Sequence, residues 1–155
     1  ALATVSAKGE SLVSLCYTSN PTARQTQEVL LKDGRMYWEF IAQCAMEWSE
    51  KHDVLANAGL VMAAAYERPK GSGDIYSFHL SRGREIVGDK MWFLVPGVGT
   101  QKGYVDETVH YAYTGSGSIA INSSSGLLFK SIDTDYAQAS AGAAEELRDQ
   151  IRAAM

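Results

Sequence analysis

Residues 91–103 read Met-Trp-Phe-Leu-Val-Pro-Gly-Val-Gly-Thr-Gln-Lys-Gly. Five apolar residues closed by a proline, then three glycines within a few positions, describe a buried strand that runs out into a loop of bare backbone. Gly97, Gly99 and Gly103 let that loop take positive φ and leave its amide N–H groups uncovered, an arrangement suited to an anion; the alternative is that they only shape a tight turn. Asp106 and Glu107 follow at positions suited to the first turn of a helix, where carboxylates meet the positive end of the helix dipole.

Working outward, Ser11–Tyr17 is a strand candidate closed by Thr18-Ser19-Asn20-Pro21, because the proline biases Asn20 away from helix. Ala58–Ala65 is a continuous apolar run of the kind expected for a strand covered on both faces. Ser118–Asn122 makes a fourth strand, followed by Ser123-Ser124-Ser125-Gly126. Helices are expected between them. Tyr37, Phe40, Ile41, Cys44 and Trp48 recur at helical spacing, and this stripe is read as core packed against a sheet rather than as a cofactor wall. A second helix is expected over 75–87 with Gly88 as its C-cap, a third over 105–114, and a fourth over 134–154 with Asp133 or Thr134 as N-cap and Tyr136, Ala143, Leu147 and Ile151 facing inward. Residues 66–74 read as a mobile polar connection.

The alternation of strand and helix, four times over, predicts an α/β fold of parallel strands joined by right-handed crossovers, with polar loops gathered at the carboxyl edge. Four such units are half of a (β/α)8 barrel, and residues 1–155 fit a single half-barrel domain. Leu12, Leu15, Val61, Phe93, Val95 and Ile121 are assigned to its inward face.

Composition narrows the partners. A formal charge of -4 and the lack of a clustered basic stretch argue against a nucleic-acid surface. No apolar run reaches the length of a membrane span. Cys16 and Cys44 show no metal-ligand spacing and are expected to be packed thiols; no metal or cofactor is implied. Ala1 and the richness in alanine and serine lean toward a mitochondrial matrix protein freed of its presequence, with the cytoplasm as the other compartment.

Three segments taken in register resemble the orotidine 5′-monophosphate decarboxylase family: Leu15-Cys16-Tyr17-Thr18-Ser19-Asn20-Pro21, Trp92-Phe93-Leu94-Val95-Pro96-Gly97-Val98-Gly99-Thr100-Gln101 and Ile121-Asn122-Ser123-Ser124-Ser125-Gly126. They suit that family's fifth, seventh and eighth barrel strands, with Gly59–Ala65 as the sixth, so the resemblance is to the C-terminal half of the barrel. It implies that Ser19 sits where the family contacts the pyrimidine and that Gly97, Gly99 and Gln101 belong to the phosphate loop. The family's phosphate-gripping arginine falls at Ser125, and its usual glycine after the glutamine falls at Lys102.

The resemblance also exposes an absence. The family's catalysis depends on an Asp-x-Lys-x-x-Asp motif and on a lysine and an aspartate from the first two strands, none of which these 155 residues contain. Without those charges the chain has no source of the electrostatic stabilisation the reaction needs. The expectation is therefore a non-catalytic half-barrel, a pseudoenzyme serving as an accessory subunit. It would be covered by other polypeptides over its open face and edge strands, and would retain a vestigial nucleotide or phosphate site at Ser19, Gly97, Gly99, Gln101, Lys102 and Ser125. Two further readings stand behind it: a decarboxylase half that works only with a separate N-terminal half, and a phosphate- or nucleotide-binding module.

Overall fold

A computed structural model of the chain describes residue 4 and residues 8–98 and 104–155. Its main sheet has four strands, β1 (Leu12–Tyr17), β2 (Ala58–Met62), β5 (Trp92–Pro96) and β6 (Ile119–Asn122), in the order β1-β2-β5-β6 with every pair parallel. Between them run helices α1 (Arg24–Gln27), α2 (Tyr37–Lys51), α3 (Phe78–Val87) and α4 (Val105–Ala112); α5 (Ser125–Leu128) and α6 (Tyr136–Ala154) follow β6. This is the half-barrel the strand–helix alternation predicts: each strand is too apolar to face water on both sides, and each crossover lays a helix across one face.

Residues 66–74 depart from the expected mobile connection. Tyr66–Glu67 (β3) and Ile75–Tyr76 (β4) pair antiparallel as a hairpin, with Tyr66 opposite Tyr76. Consequently α3 begins at Phe78, later than expected, because the residues before it are held in the ladder. Gly88 does end α3, at φ 58° with its amide donating to the Arg84 carbonyl at 2.7 Å.

The register fixes which side of the sheet is covered. Ser14, Leu60, Phe93 and Ile119 are direct partners across the four strands and share one face; Leu15, Val61, Leu94 and Ala120 share the other. Helices cover the first face, where Leu60, Met62, Phe93 and Val95 are wholly buried against Trp38, Ala42 and Leu80. The second face is open, and Leu15 is 64% exposed on it. Of the residues assigned to the inward face, Leu15 and Val61 lie there. Leu12, Phe93, Val95 and Ile121 are corrected to the helix side, since period-two alternation from Ser14, Phe93 and Ile119 puts them there.

A second correction concerns α2. Its buried line is Trp38, Ala42, Ala45 and Ser49, not the aromatic stripe: Tyr37, Phe40 and Trp48 are 42%, 37% and 55% exposed. The sheet contact selects one indole and two alanines because a helix lying close on a sheet needs small side chains beneath it. On α6, Ala143 is buried and Leu147 packs on the core, whereas Tyr136, at the helix's first residue, stays 63% exposed. The residue before α6 is Asp135, without a side-chain cap bond.

At the amino edge a single cation joins four segments. Arg84, from α3, donates to the carbonyls of Ala112 (2.7 Å), Gly88 (2.9 Å), Met91 (2.8 Å) and Ser118 (2.8 Å) and lies 3.7 Å from the Phe93 ring centroid. Those carbonyls sit at the ends of α4 and α3 and just ahead of β5 and β6, so the charge is met by helix C-terminal dipoles and a ring face. Burial pulls its guanidinium down to about 10, and the group stays charged at neutral pH.

Candidate functional site

The carboxyl edge is where loops converge. Beyond β2 the chain stays in the sheet's hydrogen-bond pattern for two more residues: the Ala63 amide donates to the Tyr17 carbonyl at 2.9 Å and the Ala64 amide to the Pro96 carbonyl at 3.0 Å. Ala65 then accepts from the Tyr104 amide at 3.0 Å and donates its own N–H to Thr108 Oγ1, itself buried, at 2.9 Å. Both flanks of the glycine stretch are thus fastened to one short alanine run, Pro96 to Ala64 and Tyr104 to Ala65. Gly97 takes φ 101° as it leaves β5, a conformation that requires glycine.

Of the sequence-predicted site residues, Ser19 lies two residues past β1, Gly97 directly past β5, and Ser125 at the start of α5 just past β6. All three fall on the carboxyl edge of the same sheet, with Ser19 and Ser125 following its two outer strands and Gly97 an inner one. Gly99, Gln101 and Lys102 lie outside the described residues. Beside Ser125 a cleft of about 350 Å³ opens between α5 and α6, lined by Ser123, Ser125, Leu127, Lys130 and Glu146 among others. Among the described residues no group of three or more His, Cys, Asp or Glu side chains is placed to hold a metal.

Between β1 and the hairpin sits a polar cluster that the sequence reading missed. Tyr17 donates its hydroxyl proton to Glu28 Oε1 at 2.6 Å; its oxygen lies 3.0 Å from Tyr66 Oη, so the Tyr66 proton points to Tyr17. Arg68 grips both oxygens of Glu28, at 2.8 and 2.6 Å, and lies over the Tyr76 ring at 4.5 Å. Burial pushes the Glu28 carboxyl up, but the bonds from Arg68 and Tyr17 outweigh it and hold the group below the usual carboxylate range. Burial, then the bond to Glu28, drives the Tyr17 phenol far above its ordinary value.

His79 fills the middle of this cluster, stacked 4.5 Å from Tyr17 and 5.4 Å from Tyr76 between ring centroids. Its Nε2 lies 2.7 Å from the Ala63 carbonyl, which can only accept, so Nε2 carries the proton. The buried Nδ1 has no partner among the described residues. With its proton committed and its ring enclosed, His79 cannot exchange protons with a substrate. The cluster fixes the hairpin on the carboxyl edge, and Tyr104, donating to Glu67 at 2.8 Å, fixes it from the other side. The one sequence cue to it, two tyrosines ten residues apart around a Pro- and Gly-rich segment, is too short to carry a periodicity and does not by itself distinguish a hairpin from a loop.

Comparison with known proteins shows what the chain is similar to. The chain is 35% identical over 144 residues to the orotidine 5′-phosphate decarboxylase of Ralstonia nicotianae, matching 92% of this chain and 47% of that one. The chain resembles one half of an orotidine 5′-phosphate decarboxylase. The enzyme of the same name from Bordetella petrii is 34% identical over 93% of the chain and 48% of its own length; the chain therefore spans about half the length of the curated relatives it matches. Among solved structures, Leishmania donovani UMP synthase superposes with a TM-score of 0.67 at 28% identity, over 92% of this chain and 28% of that one. The Toxoplasma gondii protein described as a putative orotidine-monophosphate-decarboxylase superposes at 0.68 with 16% identity over 97% of this chain and 53% of its own, which shows the shared fold. No protein-family model matches the chain. The barrel relatives explain the geometry above: in such folds the strands' carboxyl ends carry the ligand site and the amino ends carry stability.

Proposed function

We propose that the chain is an orotidine 5′-phosphate decarboxylase-like half-barrel that acts as a structural or accessory part of a larger protein assembly, without catalysis of its own. The observation that carries this reading is exposed apolar surface on several elements: Leu15 on the open face of the sheet, Tyr37 and Trp48 on α2, and Phe129, Ile132 and Tyr136 from the end of α5 to the start of α6. Leu15, Tyr37, Trp48, Phe129, Ile132 and Tyr136 are 64%, 42%, 55%, 72%, 91% and 63% exposed. At roughly 200 Å² per large side chain this is on the order of 700 Å² of apolar surface. At about 25 cal/mol per Å² that is on the order of 15 kcal/mol of unrealised burial, as much as the whole stability of a domain. Among the described residues the edge strands β1 and β6 each pair on one side only, which adds unpaired backbone groups. A covering polypeptide resolves both. Absence of the Asp-x-Lys-x-x-Asp motif from the sequence supports the lack of activity.

Sedimentation of the purified chain at micromolar concentration, with a hydrophobic dye present, tests the reading. It predicts dye binding or association; a compact monomer that binds no dye refutes it.

One observation favours a second reading, in which a partner supplies the first half of the barrel and the pair decarboxylates orotidine 5′-monophosphate. The glycine stretch is still anchored at both flanks, through Ala64 and Ala65, as a working phosphate loop would need. Turnover on mixing the chain with such a partner, absent from either alone, would establish it.

A further inference from the structure

The β3–β4 hairpin is held to the sheet by side chains. Its own ladder is two residues a side, Tyr66 opposite Tyr76 and Glu67 opposite Ile75, too short to stand alone in water. Residues 69–75 are all exposed. Tyr66 meets the Tyr17 hydroxyl, Arg68 holds Glu28, and the Tyr76 ring stacks on His79. Tyr17 and Tyr76 are themselves 6.3 Å apart between centroids. Three rings, one each from β1, the hairpin and α3, thus close a triangle, and His79 is the corner that can take up a proton.

The surroundings of that corner suit a neutral imidazole and no other form. Nε2 already donates to Ala63, and Nδ1 is wholly buried with no partner among the described residues. The carboxylate in the cluster, Glu28, is bonded to Arg68 through both oxygens and to Tyr17 through one. A proton on Nδ1 would add a charge and an unmatched donor beside a guanidinium of the same sign. The titratable and charged groups around the ring are Tyr17 of β1, Glu28 at the end of α1, and Tyr66, Arg68 and Tyr76 of the hairpin. Burial pushes the Tyr17 and Tyr76 phenols up and Glu28 is held low. The imidazole is left as the group that changes charge between pH 7 and pH 5.

We propose that the β3–β4 hairpin is an acid-released latch on the carboxyl edge: a proton taken up at His79 Nδ1 swings the hairpin away from β1 and leaves the four-stranded sheet in place. Relief from the other side of the ring would break the sheet, because Ala63 and Tyr17 are each 1% exposed and the Ala63 amide donates to the Tyr17 carbonyl. The hairpin's own hold is the weaker one. Its ion pair is partly open to water, at 25% for Arg68 and 14% for Glu28, so solvent replaces it at modest cost. Opening gives the imidazolium water and uncovers the Ala63–Ala65 run. The edge is therefore covered at neutral pH and bare in acid, whether or not another polypeptide covers the apolar surface elsewhere.

Amide hydrogen exchange followed by NMR at pH 7 and pH 5, corrected for the intrinsic pH dependence of exchange, tests the latch. The Arg68 amide, donating to the Asp74 carbonyl at 2.9 Å, reports the hairpin; the Phe93 amide, donating to the Ser118 carbonyl at 2.9 Å, reports the sheet. For an imidazolium pKa of about 4 in the closed hairpin and 6.5 in the open one, opening rises about twentyfold over this range. The expected result is a loss of Arg68 protection of at least tenfold, with Arg68 at least tenfold less protected than Phe93 at both pH values. His79→Gln, which keeps a donor for Ala63 and cannot titrate, should remove the pH response of Arg68. Should that variant not fold, Glu28→Gln serves in its place: it weakens the grip of Arg68 and should move the opening to higher pH. Arg68 protection that does not change with pH overturns the proposal, as does protection equal to that of Phe93 at pH 5, which would mean that the whole domain opens together. A His79→Gln chain with the original pH response, or a Glu28→Gln chain with an unshifted one, overturns it equally.

Discussion

The indole of Trp92 lies across Gly59 on the open face of the sheet, so close that a β-carbon on the glycine would stand 2.6 Å from Cε2 and 2.8 Å from Cδ2. The two residues are direct partners in the β2–β5 ladder. Gly59→Ala must displace the ring, and overpacking of this kind destabilises by about 1–3 kcal/mol. The expected signature is a lower midpoint in urea together with a shift in tryptophan emission, while Gly142→Ala, where an added carbon meets nothing within 4 Å, should be neutral or slightly stabilising.

Arg84→Met removes a donor from four carbonyls at once, of which Ser118's keeps the Phe93 amide at 2.9 Å. Each buried acceptor left without a partner carries a penalty of about 1–3 kcal/mol, partly relieved by water at the edge, so a loss of at least about 3 kcal/mol is expected. Chemical denaturation measures it, and a loss below 1 kcal/mol would show that water replaces the guanidinium freely. Arg84→Lys should recover only part, since an ammonium cannot span four acceptors.

Acid should weaken the fold through His79. Burial lowers its imidazolium pKa to about 4, below the 6.5 of an exposed histidine. Between those values the unfolded chain binds the extra proton, so the stability contributed by a neutral His79 is complete above pH 6.5 and is lost as the pH falls toward 4. The full difference is on the order of 3 kcal/mol. Glu28, held below the usual carboxylate range, gives up its own contribution at still lower pH. Thermal melts at pH 7 and pH 5 should differ, and His79→Gln should flatten that difference.

Ser125→Arg is expected to restore affinity for inorganic phosphate or UMP at low salt while turnover of orotidine 5′-monophosphate stays absent. A charge-assisted fork to phosphate is worth roughly 1.5–3 kcal/mol, or about ten- to a hundredfold in affinity. Unchanged affinity at low ionic strength would show that the eighth-strand register is misplaced.

Much of the scaffold was legible because its strands are long apolar runs. Ala58–Ala65 and Met91–Val95 could hardly be anything but buried, and the glycine stretch announced where the chain leaves the sheet. The hairpin was not, because two-residue strands leave no periodicity to read and their pairing depends on partners far along the chain, Glu28 and Tyr17 among them. The stripe on α2 was seen but placed on the wrong side: helical spacing tells which residues share a face, and says nothing about which of two apolar faces meets the sheet. Trp38, Ala42 and Ala45 form an equally regular line. As for the site, Ser19, Gly97 and Ser125 do gather at one edge, while His79 and Arg68 were invisible because their roles arise only from tertiary contact.

The Arg84 junction has a bearing on the history of such a chain. By gathering the exits of two helices and the entrances of two strands around one side chain, it sets the frame at the end of the sheet opposite the carboxyl-edge loops. The loops that follow β1, β5 and β6 can then diverge without loosening that frame. On the proposed reading, a half-barrel framed this way keeps its shape whatever its loops become, and so serves wherever a parallel sheet with one uncovered apolar face is useful.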